Sequence, residues 1–309
     1  MMETATEKKK TFGQKVYENR YLLIIFLPVL IYYLIFAYGP MLGLVTAFQN
    51  YSPFLGITGS KWVGFKNFTT FFNSEFAFRV VRNTLSINAL QLIFGFPAPI
   101  IFAVLLNEIK FSKIKGFIQT VSYLPNFISL VVVVGIMQDL LAVDYGIVNR
   151  IILAFGGEQI RFMNEGTWFQ PLFTISGIWQ YAGWNAIIFI AAIAGIDQEL
   201  YESASLDGAS RFQKAMKITI PCISDTIIIL LILQIGRMMS LGFEKVILMY
   251  NTSTYEYADV ISSYVYRIGM VNGNYSLGAA VGLFNSVFNC VLLVAANSMA
   301  KKFSGKGLF

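Results

Sequence analysis

Six stretches of the chain stay apolar for about the twenty residues that a helix needs to cross a bilayer core about 30 Å thick. They run from Tyr21 to Phe48, Thr84 to Leu106, Phe117 to Ala142, Trp168 to Gly195, Ile223 to Gly242 and Leu277 to Met299. With 56% hydrophobic and 13% charged residues, the chain carries more apolar surface than one soluble core of this size would hide, so lipid is its solvent. The expected fold is all-α, a polytopic bundle of six transmembrane helices. The first twenty residues are polar and basic, and the apolar run after them is too long for a signal-peptide core and lacks a small-residue cleavage site, so it reads as an uncleaved first span. The organisation expected is a cytoplasmic segment 1–20, a membrane domain 21–299 and a cytoplasmic tail 300–309.

Lysine and arginine near span ends set orientation, because such loops stay in the cytoplasm. With the N-terminus inside, the cytoplasmic segments hold fourteen: Lys8, Lys9, Lys10, Lys15, Arg20, Lys110, Lys113, Lys115, Arg211, Lys214, Lys217, Lys301, Lys302 and Lys306. The opposite side holds eight: Lys61, Lys66, Arg79, Arg82, Arg150, Arg161, Lys245 and Arg267. Both termini are therefore expected in the cytoplasm of a bacterial cell, with the chain embedded in the inner or plasma membrane.

Several chemistries are disfavoured by what the chain lacks. It contains no histidine, which removes the common general base and metal ligand. Its two cysteines, Cys222 and Cys290, form no CxxC pair, and no catalytic or metal-binding residue is assigned. The net charge of +6 is dispersed in short clusters beside apolar runs, which suits lipid headgroups and not nucleic acid. The Gly-Lys pair Gly305-Lys306 lies outside any phosphate-binding loop, so an energy source would come from another polypeptide and no cofactor is expected in this chain.

Prolines inside the spans, notably Pro28, Pro97, Pro99, Pro125 and Pro171, free backbone carbonyls that neighbouring helices must satisfy, so the spans should pack together. The stretch from Gly195 to Pro221 reads as two short helices meeting at a bend. Asp197 caps the first, with Glu199 in its first turn; Asp207-Gly208 breaks it. Ser210 and Gln213 stand at capping-box spacing for the second, with Phe212, Met216 and Ile220 as its apolar face, and Pro221 stops it. Such a unit fits a groove in a soluble partner or lies in the headgroups.

Glu202-Ser203-Ala204, Asp207-Gly208-Ala209 and Ile218-Thr219-Ile220-Pro221 resemble the EAA loop of permease subunits of binding-protein-dependent, type I ABC importers. Gly208 and Pro221 stand at the pattern's spacing from Glu202; Ser203 and Ile220 depart from it conservatively. Tyr38-Gly39-Pro40, Trp62 to Phe68, Arg82-Asn83-Thr84-Leu85 and Tyr123-Leu124-Pro125 extend the resemblance to the LplB-like branch of carbohydrate-uptake permeases. It implies the MetI-like fold and an ATP-driven importer of oligosaccharides or polysaccharide fragments. The partners implied are a second, similar permease, a dimer of ATP-binding subunits that hold ATP and Mg, and an extracytoplasmic solute-binding protein. The ATPase-coupling residues would be Glu202, Ser203, Ala204, Asp207, Gly208, Ala209 and Pro221.

Polar residues inside spans are candidates for a substrate path, since lipid does not solvate them. Trp179, Gln180, Trp184 and Asn185 make a plausible sugar-binding set, joined by Asn88, Gln91, Arg237 and Asn285; each can equally serve as a packing or helix-to-helix contact. Arg237, read as twelve residues into the fifth span, should face a cavity, a carboxylate, the partner permease or an acidic sugar. The long aromatic outer loops, Gln49 to Asn83 and Phe243 to Ser276, are expected to meet the binding protein. An ion-coupled secondary carrier is the rival reading, and the placement of Asp139 and Asp225 near span ends disfavours it.

Overall fold

The structure is a computed structural model and describes residues 13, 17–239, 241–305 and 307–308. Lys8, Lys9, Lys10, Lys15 and Lys306, counted above for orientation, lie outside the described residues. In chain order the main elements are α1 (Arg20–Phe48), the strands β1 (Gln49–Asn50) and β2 (Lys61–Trp62), α2 (Lys66–Phe72) and α3 (Glu75–Asn107). They continue with α4 (Ser112–Phe127), α5 (Leu130–Leu140), α6 (Ile147–Ala154), α7 (Gly166–Ala194), α8 (Gln198–Leu206), α9 (Arg211–Cys222) and α10 (Ser224–Ile235). The last are α11 (Phe243–Met249), α12 (Tyr255–Ala258), α13 (Ile261–Val265) and α14 (Tyr275–Ser304).

Four helices, α1, α3, α7 and α14, are long and apolar enough to cross a membrane unaided. The third and fifth apolar runs differ from expectation. Phe117 to Ala142 is not one span: α4 and α5 meet at 99°. Its cause is local, because Pro125 removes a helical donor and Ser129 then starts a new helix by accepting from the Val132 amide. The fifth run yields only the helix α10, set at 64° to α9, and the chain leaves the helix after Ile235. Each bent pair has the length and composition of one further crossing.

Prolines in these helices are handled by a recurrent device. The turns Leu34–Tyr38, Gln91–Gly95 and Ala215–Thr219 are π-helical. In each, the residue before a proline (Gly39, Phe96, Ile220) donates to the carbonyl five residues back, on Leu34, Gln91 and Ala215 respectively. Widening the turn by one residue moves the carbonyl that the ring of Pro40, Pro97 or Pro221 would otherwise strike.

α7 is the central post. Toward Gly166 its Phe169 and Phe173 pack with Ile87, Val134, Leu241 and Val246; toward Ala194 its Ala186, Phe189 and Ile193 pack with Ala103 and Ile223. A third cluster joins Phe71, Val80, Met239, Ile261, Tyr264 and Val281. The opening turns of α1, Arg20–Tyr33, bury no residue, so an apolar helix stands ready for lipid or another chain.

Gly183 sets how closely the α4–α5 break approaches α7. A Cβ at 183 would lie 2.2 Å from the Ser122 carbonyl oxygen, a backbone atom that cannot rotate away. Gly183→Ala is therefore expected to lower stability by about 1–3 kcal/mol, seen as an earlier melting transition of detergent-solubilised protein; an unchanged transition would show that the two segments do not pack this closely.

Candidate functional site

Two features carry chemistry: a cavity walled by α3, α7 and α10, and the α8–α9 unit at the end of the bundle where α3 and α7 finish.

The cavity has two lobes. One, of 460 Å³, is lined by Gln91, Gly95, Phe96 and Pro99 from α3, by Gly177, Ile178, Tyr181, Ala182, Asn185, Ile188 and Phe189 from α7, and by Leu230, Leu233, Gln234 and Arg237. The other, of 610 Å³, lies toward the Gly166 end of α7 and is lined by Asn88, Gln91, Leu130, Phe173, Gly177, Tyr181, Gln234, Arg237 and the segment Leu241 to Lys245. Gln91, Gly177, Tyr181, Gln234 and Arg237 line both lobes, so the space is continuous. These volumes are those of small-molecule sites.

Helical geometry selects the α7 residues. Gly177, Tyr181, Asn185 and Ile188 recur at intervals of three and four and share one face. The π-helical turn Gln91–Gly95 helps present Gln91 to the space, and Gly177 leaves room for it: a Cβ there would meet the Gln91 Nε2 at 3.3 Å and the Lys245 Nζ at 3.4 Å.

Of the eight residues expected on a substrate path, the cavity gathers Asn88, Gln91, Asn185 and Arg237. The other four lie elsewhere. Gln180 is buried, donates to the Ile128 carbonyl at 3.2 Å and holds the α4–α5 break against α7. Trp184 packs edge-on against Tyr123 and Phe127 at that break. Trp179 is half exposed on the far side from the cavity lining, and Asn285, on α14, is also absent from that lining. The helical period turns positions 179 and 180 away from the face centred on 181 and 185, whereas 184, seven residues after Gly177, borders that face and packs instead on the α4–α5 break. Arg237 lines the cavity but does not lie inside a helix. It follows the end of α10 by two residues, is exposed to the cavity, and forms no ion pair with any described carboxylate.

Sequence reasoning missed Tyr181, Gln234, Glu244 and Lys245. The first was legible four residues before Asn185, and Gln234 three before Arg237. Lys245, assigned to an outer loop, is 5% exposed on α11. Its Nζ donates to the Phe173 carbonyl at 2.8 Å and sits 4.5 Å from the Phe173 ring centroid. Burial draws its ammonium pKa down to about 8, so the charged form still predominates at neutral pH.

A second polar cluster anchors the segment between α11 and α14. Asp259, fully buried, pairs with Arg79 at 3.0 Å and Arg267 at 2.7 Å and accepts from the Ser263 hydroxyl. From α3, Asn83 donates to the carbonyls of Glu256 and Asp259, the Thr84 hydroxyl accepts from the Ile261 amide, and Arg82 pairs with Glu256. Arg82-Asn83-Thr84 therefore works as a clasp on the α12–α13 loop.

The α8–α9 unit is braced from within. Asp197 accepts from the Glu199 amide, and Ser210 and Gln213 form a reciprocal capping box. Gly208 turns the chain at φ +75°, and Ala209 donates back to the Ala204 carbonyl at 2.9 Å. Tyr201 and Thr219 share a hydroxyl bond at 2.9 Å, and the Lys214 ammonium donates to Ser205 at 2.6 Å. Outward it shows Glu202, Ser203 and Asp207, with Leu206 and Phe212 exposed by 90% and 74%. Pro221 stands one residue before the α9 end. This is an exposed, internally braced projection that mixes apolar, acidic and basic side chains.

Comparison with known proteins places these features in context. Residues 95–304 match the family described as binding-protein-dependent transport system inner membrane component. Protein LplB of Bacillus subtilis (strain 168) is 47% identical over 94% of this chain and 92% of its own. The polygalacturonan/rhamnogalacturonan transport system permease protein YteP of the same organism is 45% identical over 98% and 94%. Among solved structures, a chain of a bacterial alginate ABC transporter in complex with an alginate pentasaccharide-bound periplasmic protein superposes with a TM-score of 0.90 at 39% identity, covering 97% of this chain and all of that one.

Proposed function

Since the chain belongs to the family of binding-protein-dependent transport system inner membrane components, a permease subunit of an ABC importer of oligosaccharides, we propose how its parts divide the work of import. In this reading the chain crosses the membrane six times, α4–α5 and α9–α10 each making one bent crossing, with both termini in the cytoplasm. A second, similar permease completes the translocation path, and two ATP-binding subunits bind ATP and Mg. The chain itself makes and breaks no covalent bond.

One observation carries this division: the exposed, internally braced α8–α9 projection at one end of a bundle whose cavity opens between α3, α7 and α10. The projection seats in a cleft of the ATPase subunit, with Glu202 meeting a basic side chain and Leu206 and Phe212 entering an apolar groove. Because α9 runs directly into α10, movement of the projection turns a wall of the cavity, which supports alternating access. At the opposite end, exposed Phe54, Trp62 and Phe65 offer an aromatic surface to the solute-binding protein.

The test is uptake into proteoliposomes holding the whole importer, with binding protein and labelled oligosaccharide outside. Accumulation is expected with ATP inside and none with a non-hydrolysable analogue. Accumulation driven by a proton or sodium gradient without ATP would overturn the reading in favour of an ion-coupled carrier.

A further inference from the structure

We infer that the cavity reads carboxylates, with Arg237 and Lys245 forming a two-cation site for the uronate units of an anionic oligosaccharide. The inference rests on the importer reading and adds the charge of the cargo and the residues that recognise it.

Three arginines elsewhere in the described chain are matched. Arg79 and Arg267 hold Asp259, and Arg82 holds Glu256. Such pairing is the rule, because a cation taken out of water without a counter-charge is costly. The cavity departs from that pattern at one buried cation and leaves a second, exposed to the cavity, without a counter-charge. Lys245 is almost wholly buried, yet its contacts are the Phe173 carbonyl and ring, both neutral. The Arg237 guanidinium lines both lobes with no ion pair to a described residue. Glu244 also lines the lobe of Lys245 but is exposed and pairs with neither cation, so the lining keeps a net positive charge.

The remaining polar lining suits a carbohydrate. Asn88, Gln91, Asn185 and Gln234 offer amides to hydroxyls, and Tyr181 offers a ring and a hydroxyl beside them. A guanidinium takes a carboxylate in a bidentate fork, and an ammonium takes it as a point charge. Two cations beside the amides of one cavity lining fit an anionic carbohydrate better than a neutral one.

The probes are a tetramer of galacturonate and its full methyl ester, titrated calorimetrically into the complete importer in nanodiscs without binding protein. Wild type is expected to bind the acid at least about tenfold more tightly than the ester, the scale of one charge-assisted bond. Arg237→Gln and Lys245→Gln should each remove most of that preference by weakening acid binding far more than ester binding, and Arg237→Lys and Lys245→Arg should retain it. Equal binding of the two probes by wild type, binding of neither, or equal weakening of both by the Gln variants would overturn the inference; the last would assign the cations to holding the partner permease. ATPase stimulation by loaded binding protein is measured on the same samples. If stimulation fails, the importer reading has failed; if it persists without an acid preference, only the carboxylate inference has.

Discussion

Proline at position 208 is expected to abolish import while leaving the membrane bundle intact. Gly208 turns at φ +75° and its amide donates to the Ser205 carbonyl at 3.2 Å; proline is held near −65° and has no N–H, so it permits neither. The bend between α8 and α9 would open, and the brace from Tyr201 to Thr219 would separate. In membranes carrying Gly208→Pro, uptake should fall at least about a hundredfold, as expected when a docking element is lost whole, and the ATPase subunit should no longer purify with the permease. Gly208→Ala is the graded control, since a left-handed alanine costs about 1–2 kcal/mol and keeps the amide; its uptake should fall between the two. Wild-type uptake by the proline variant would show that the projection does not couple the subunits.

The largest loss of stability is expected from Asp259→Leu. Its carboxylate is fully buried between Arg79 and Arg267, and removing it leaves two half-shielded guanidiniums facing each other. Breaking a buried pair costs about 3–5 kcal/mol; the partial exposure of both arginines brings the expectation to about 2–4 kcal/mol. The melting transition of the purified permease should drop by several degrees. Replacing Arg79 and Arg267 by Met in the same chain should recover much of the loss, because the repulsion goes with them. A single Asp259→Leu variant that melts like wild type would show that the carboxylate does not anchor this loop.

What could be read from the sequence followed how local the cause was. Spans beginning near Tyr21, Trp168 and Leu277 were legible because long apolar runs leave one solution in lipid. The α8–α9 unit was legible because Asp197, Gly208, Ser210 and Gln213 act within four residues of themselves. The break after Phe127 was obscured by an unbroken apolar run through Val131 to Val134, although Pro125 followed by Ser129 was the available signal. Span five was drawn too long because Met238, Met239 and Leu241 continue the apolar run past Ile235, where the helix ends. Lys245 was missed for a different reason: a charged residue beside a span is normally solvated, and only the fold of α11 onto Phe173 buries it. Trp179 and Trp184 were chosen for their chemistry; the first lies on the far side of α7, and the second, at the border of the cavity face, is held by Tyr123 and Phe127.

The widened turns ahead of Pro40, Pro97 and Pro221 bear on how such chains diverge. Each carries one residue more than a continuous α-helix would, and that residue turns everything beyond it by about 100°. Proline and the additional residue are thus a linked pair. A lineage that loses Pro97 alone keeps a bulge without its cause, and one that also drops a residue between Gln91 and Gly95 recovers a plain helix. One-residue gaps among relatives should therefore fall at Leu34–Tyr38, Gln91–Gly95 and Ala215–Thr219 wherever the following proline is missing.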